Sequence, residues 1–220
     1  MTNDFTRTSS RCHSVTVSRD FIRTPSVSSQ LLTALRAAVV FLVLCGLVYT
    51  GTATLLGGAL FPQQATGSLI EQEGRVVGSR LVGQPFESPQ YFYGRPSAAD
   101  YDPTATGGSN LAPSNPELRD RVRADSDRIQ TLEGVTPADI PVDLVTASGA
   151  GLDPHISPEA AHLQAPRIAA ARGLSEKVVL DVIEQHIQGP QWGLFGQPRV
   201  NVLLLNLALD RQAVNGKDHP

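Results

Sequence analysis

The chain has 220 residues, 41% of them hydrophobic, with 18 Lys and Arg against 21 Asp and Glu for a formal net charge of −3. Beyond residue 60 the balance is 13 basic to 19 acidic, which argues against nucleic acid or anionic lipid as the partner of that part. Cys12 and Cys45 both precede it, so disulfides are excluded as its stabilising device.

Residues 1–30 are rich in Ser, Thr and Arg without apolar period and read as a disordered tail. Ala37 to Leu60 follow, 24 residues without a formal charge. About 20 residues of helix cross a ~30 Å hydrocarbon core, so a transmembrane helix is expected over 31–60. The run is too long for the ~7–15-residue apolar core of a signal peptide, although Gly57 and Ala59 are small enough for a cleavage site. Leu44 before Cys45 does not fit a lipoprotein anchor. Arg7, Arg11, Arg19, Arg23 and Arg36 precede the run against only Asp4 and Asp20. Positive charge at a span end stays on the cytoplasmic side. The N-terminus is therefore expected inside, with residues 61–220 as one extracytoplasmic domain on the periplasmic side of a cell (inner) membrane. Gly46 and Thr50, and again Ala53 and Gly57, are small and four apart within each pair, and offer a face for close helix packing.

Within the domain, short strands are expected at Ser79–Val82 and Leu144–Thr146. Gln84 to Pro116 is a long Pro-, Gly- and Asn-rich loop, and loops of that length are functional or stabilised by a partner. Asn115 caps a helix that starts at Pro116, with Leu118, Val122, Ile129 and Leu132 near helical spacing. Ser157-Pro158-Glu159 opens a second, which Pro166 should kink or restart and Gly173 closes. Ser175 caps a third to about Ile187, with Val178, Val179, Val182, Ile183 and His186 on one side. Trp192, Leu194 and Phe195 alternate with Gly193 and Gly196 in a loop that suits either docking or a turn folded over its own core. From Val200 to Leu209 the spacing of Val202, Leu205 and Leu209 after Asn201 favours a helix over a strand. The fold class expected is α+β: one N-terminal transmembrane helix, then a single soluble α/β-type domain.

Chemistry is sparse. P-loop and G-x-S-x-G patterns are absent. Ser148 lies in the small-residue run Thr146–Gly151, as a tight turn or as a nucleophile served by His155 or His162. His155, Glu159 and His162 have the spacing of a zinc-binding face, but Ser157-Pro158 sets the helix start after His155, so no metal site is expected.

Several segments resemble the C subunit of the high-affinity potassium-transporting P-type ATPase, the Kdp system. They are Leu60–Ala65 (LFPQQA), Gly78-Ser79, Gly83-Gln84, Tyr91–Ala98 (YFYGRPSA), Gly107–Pro116 (GGSNLAPSNP) and Val145–Ser157 (VTASGAGLDPHIS). Ala161, Gln164 through Arg172, Gly196–Pro198, Val200–Val202 and Leu205–Asp210 continue it, so the likeness spans roughly residues 31–215. The 30-residue tail is a departure from that family's pattern. The resemblance implies a non-catalytic subunit that joins and stabilises two partners in the membrane. These are a potassium-binding channel-like subunit and a P-type subunit that hydrolyses ATP. It also implies a catalytic-chaperone role that raises ATP affinity, with nucleotide contact at positions matching Val145, Ser148 and Gly151. Ala147 stands where some members carry a hydroxyl. No cofactor of the chain's own is implied; ATP enters through the complex. An outward-facing domain lies across the bilayer from cytoplasmic ATP, so any effect on ATP affinity is expected to pass through the membrane helices as a coupling free energy. Two other classes stay open: an anchored hydrolase using Ser148, and a binding module for a solute or metal.

Overall fold

A computed structural model describes residues 26–215. The expected tail falls mostly on residues 1–25, outside the described residues. The chain divides between Leu60 and Phe61 into two compact units.

The first unit is a single apolar helix, Val27–Leu60, of 34 residues. Ser26 caps it with extended backbone, its hydroxyl accepting from the Ser29 amide at 3.3 Å. The helix thus begins at Val27, four residues before the expected boundary, because the cap rather than the apolar run sets its start. It comprises α1 (Val27–Phe41), a π-helical stretch (Leu42–Tyr49) and α2 (Thr50–Leu60). The Thr50 hydroxyl donates to the Cys45 carbonyl at 2.8 Å, which keeps that polar group satisfied within the helix, as hydrocarbon demands. At about 1.5 Å per residue the helix is roughly 50 Å long, more than a ~30 Å core requires. None of its most apolar window is buried by the chain itself. It is a candidate membrane span by length and composition.

The second unit opens with one helical turn, α3 (Pro62–Ala65), and an antiparallel hairpin, β1 (Leu69–Gln72) with β2 (Arg75–Ser79). Glu73 and Gly74 make the turn with φ of 51° and 75°, the pair of left-handed residues that two-residue hairpins favour. The strand expected at Ser79–Val82 is a correction: Ser79 ends β2, and its hydroxyl accepts from the Leu81 amide at 3.1 Å to turn the chain away. The strand's alternation ends where its partner ends.

After an irregular segment come α4 (Pro116–Glu133) and β3 (His155–Ile156). Then follow α5 (Pro158–Arg172), α6 (Glu176–His186), β4 (Ile187–Gln188), β5 (Arg199–Asn201) and α7 (Val202–Asn215). Asn115 and Ser157 cap as their side chains predict, accepting from Glu117 and Ala160 amides at 2.9 and 3.0 Å. Leu144–Thr146 is not a strand; Val142–Leu144 is a 3-10 turn that buries Leu144. Pro166 neither stops nor restarts α5. Proline forfeits one helical hydrogen bond, and Ala165, Ile168 and Ala169, buried on either side, hold the helix through it.

Strands β3 and β4 flank β5 in an antiparallel sheet, with Val200 facing Ile156 on one side and Ile187 on the other. The last segment is strand and helix in turn. Asn201 closes β5 and its Oδ1 accepts from the Leu204 amide at 3.1 Å, starting α7. The core joins Ile156 and Val200 of the sheet to Ile168, Val179, Ile183, Leu205 and Leu209 of the helices. The inward face of α5 is mostly alanine (Ala160, Ala161, Ala165, Ala169). Small side chains there let α6 pack closely, and α6 supplies the bulk with Val179, Val182 and Ile183.

Candidate functional site

The irregular stretch between β2 and α4 is bound to the core by polar side chains rather than by strands. The backbone of Phe92 donates to Asn206 Oδ1 at 2.8 Å, and Asn206 Nδ2 donates to the Phe92 carbonyl at 3.1 Å. Gln164 repeats the arrangement one residue on, accepting from the Tyr93 amide at 2.8 Å and donating to its carbonyl at 3.3 Å. Each buried carboxamide does what a neighbouring strand would do. Arg167 donates to the carbonyls of Pro89 and, at 3.0 Å, Tyr91, and lies 4.4 Å from the Tyr93 ring centroid. Arg172 donates to the Gln90 carbonyl at 2.7 Å, stacks 5.0 Å from the Tyr91 ring and pairs with Asp210 at 2.9 Å.

Arg167 also pairs with Glu133 at 2.9 Å, both side chains over nine-tenths buried, which ties α4 to α5. Burial raises the Glu133 carboxyl above its usual range, against the opposing hydrogen bond and charge of Arg167 and the charge of Arg128. Its second oxygen, Oε2, has no hydrogen-bond partner.

Further along, Tyr101 donates its hydroxyl to the Arg95 carbonyl at 2.5 Å, and burial pushes its pKa up. Arg95 reaches Asp153 at 2.9 Å, at the edge of an open cleft of about 410 Å³ that Asp143, His155, Ser157, Gln197 and Arg199 also line. Burial would raise Asp153, but hydrogen bonds from the His155 ring and amide and from Arg95 outweigh it and hold the carboxyl low. Asp143 is engaged too, accepting from the Ser157 amide and hydroxyl at 2.7 and 3.0 Å. The cleft's carboxylates serve its walls.

The residues singled out from sequence sit as follows. Ser148 is 2% exposed. Its amide donates to the Pro96 carbonyl, its carbonyl accepts from Gly151, and its hydroxyl accepts from the Asp153 amide at 3.4 Å. Gly151 has a φ of 73°, and a Cβ there would lie 2.7 Å from the Ala99 Cβ, so both its conformation and its surroundings require glycine. Val145 is half-buried against the core, and its carbonyl accepts from Arg121. These three shape a turn that receives the irregular segment, with the Gly107 amide donating to Ala150 and Ser97 donating to Gly151 at 2.7 Å.

His155 presents Nδ1 to Asp153 at 3.3 Å, and among the described residues no hydrogen bond joins its ring to Ser148. His162 pairs instead with Glu184 on α6 at 3.0 Å. A nucleophile needs exposure and a base within reach; Ser148 has neither. Among the described residues no cluster of His, Cys, Asp or Glu could hold a metal ion. The clamping residues Gln164, Arg167, Arg172, Asn206 and Asp210 escaped the chemical search. Their signal was a polar side chain at the inward spacing of an apolar helix, as Gln164 has between Ala160 and Ile168.

The glycine–aromatic loop is an exposed hairpin tip. Gln191 and Phe195 bridge across it, Trp192 and Gly193 turn it with φ of 54° and 73°, and Trp192 and Phe195 meet edge to face at 6.1 Å. Trp192, Leu194 and Phe195 are 83%, 80% and 61% exposed. Of its two expected uses, folding over the core is therefore the one not adopted.

Comparison with known proteins places this geometry. The family model described as KdpC, K+-transporting ATPase, c chain, matches residues 31–211. A potassium-transporting ATPase KdpC subunit of Shewanella putrefaciens is 64% identical over 179 residues, covering 81% of this chain and 90% of that protein. The KdpC subunit of Xanthomonas oryzae pv. oryzae is 52% identical, covering 84% and 88%. That of Caldanaerobacter subterraneus is 49% identical, covering 80% and 91%.

Proposed function

Since this chain belongs to the KdpC family, the c chain of the K+-transporting ATPase, we propose that it is the non-catalytic subunit that joins and stabilises the channel-like and ATP-hydrolysing subunits of that pump. Its helix packs among partner spans, and its domain caps the ion entrance from outside. The observation that carries this reading is a 34-residue apolar helix that its own chain leaves uncovered, joined to a domain whose buried polar residues, Ser148, Gln164, Asn201 and Asn206, are spent on internal hydrogen bonds. A surplus of acidic residues on that domain raises cation concentration nearby, within a screening length of about 8 Å.

The excess of Arg before the span supports a cytoplasmic N-terminus and an extracytoplasmic domain in the cell membrane. ATP then reaches this subunit only as a coupling free energy through partner helices, and a chaperone effect on ATP affinity takes that route. The buried, internally bonded Ser148 supports a structural part for the turn containing Val145 and Gly151, with nucleotide held by the partner. Hydrolysis at Ser148 is disfavoured by the same burial.

Omitting the subunit from the reconstituted complex is expected to abolish potassium-stimulated ATP hydrolysis, whereas Ser148→Ala is expected to preserve it. Full stimulation without the subunit refutes the proposal. A shift of the ATP affinity on adding the subunit, unchanged by Gly149→Ala at the turn, is the expected mark of indirect coupling.

A further inference from the structure

We propose that the small cavity where the end of α4 meets the Tyr93-Gly94 backbone is a site for one water molecule, held by Glu133 Oε2. The Glu133 side chain is 3% exposed. Its Oε1 accepts from Arg167 at 2.9 Å, while Oε2 has no hydrogen-bond partner. A buried acceptor left in that state is costly, the more so when it is charged, so the fold calls for a donor there. Glu133 lines a cavity of about 10 Å³ with Tyr93, Gly94, Arg128, Leu132 and Gln164, about the least space that one water molecule requires.

The walls decide the chemistry of the occupant. An ionised carboxylate only accepts, so the occupant must donate. Two other wall groups only donate. The Gly94 amide has no hydrogen-bond partner among the described residues, and the Arg128 guanidinium reaches Asp125 only at 4.0 Å. The occupant must therefore accept as well. Gln164 is closed to it, since both ends of its carboxamide are bonded to Tyr93, Ala160 and Arg167. A metal cation or ammonium offers no acceptor and meets repulsion from Arg128 and Arg167; chloride offers no donor. Water does both at this size. Bridging Oε2 and the Gly94 amide, it ties α4 to the segment that Gln164 and Arg167 hold from α5.

The test is nuclear magnetic resonance on the full chain in detergent micelles, with isotope-labelled glycine. The expected result is a nuclear Overhauser cross-peak between the Gly94 amide and water, with the sign of a long-lived bound molecule. Leu132→Phe fills the cavity from a half-buried wall, and Glu133→Met keeps the length of the side chain but removes the acceptor. Each is expected to abolish the peak. Tyr101→Phe removes a hydroxyl that lies beside Gly94 and exchanges with solvent, and the peak is expected to survive it. Absence of the peak in the intact chain overturns the site. So does its survival in Leu132→Phe, or its loss in Tyr101→Phe, which assigns the signal to the hydroxyl. Microscopy of the assembled complex, at a resolution that shows ordered waters, gives a check free of substitutions. Density within about 3.2 Å of both Glu133 Oε2 and the Gly94 nitrogen is expected. An empty cavity between well-defined side chains overturns the proposal, however the variants fold.

Discussion

Asn206 and Gln164 show how a single side chain can substitute for a strand. Each is buried among apolar neighbours, each spends both ends of its carboxamide on one residue of the Phe92-Tyr93 backbone, and neither is replaceable by an apolar residue of the same size. Asn206→Leu leaves an amide and a carbonyl of Phe92 buried without partners, at about 1–3 kcal/mol for each such group. A loss of about 2–6 kcal/mol in urea unfolding of the domain is therefore expected. Asp153 makes a pH prediction. Its folded pKa lies below the ordinary value of 3.8 because the His155 ring and amide and Arg95 donate to it more strongly than burial opposes. The stability it contributes is present above that value and is lost as pH falls through the lower, folded pKa. Asp153→Asn is expected to flatten the acid side of the stability–pH profile, read from unfolding midpoints below pH 5. Caps and turn formers among such residues, Asn115, Ser157 and Gly173, were legible in the sequence, because their partners lie within a few positions. Asn206 was legible only as part of a resemblance, since its partner is 114 residues away.

The helices divide the work of the core unequally. Alanine fills the inner face of α5, while α6 and α7 provide the larger side chains. Enlarging α5 should therefore hurt as much as hollowing α6. Ala165→Leu, at a fully buried position, is expected to cost about 1–3 kcal/mol by forcing α5 from its neighbours. Ile183→Ala is expected to cost about 2–5 kcal/mol through the cavity it leaves. Thermal or urea unfolding of the two variants checks both. The helices α4, α5 and α6 were readable from spacing and punctuation. The strands of the three-stranded sheet were not, for β3 and β4 have two residues each and β5 has three, too short to show an alternation. They exist because α5, α6 and α7 bring their ends together, and so Val200–Leu209, read as one helix, begins as the central strand of a sheet.

In the molecule taken as one, every core residue among the described residues belongs to the unit that starts at Phe61. The domain without its helix is expected to fold cooperatively in water, seen as one thermal transition with coincident circular dichroism and Tyr fluorescence; aggregation or a non-cooperative melt would show that the helix is part of the fold. Sidedness is checked by cysteines at Ser10 and at the exposed Ser109, with Cys12 and Cys45 replaced by Ser. A membrane-impermeant reagent applied to intact cells is expected to label position 109 and spare position 10. The sequence by itself determined the apolar span, its charge asymmetry, the helical punctuation and the family likeness, because each is written in neighbouring residues or in runs of them. Only the tertiary structure decided that Ser148 is a buried turn residue, that the Pro-rich segment is clamped by Gln164, Arg167, Arg172 and Asn206, and that the Trp192 tip is left bare. Those outcomes depend on which distant surfaces meet, and contact between residues far apart in the chain carries no local sequence signature.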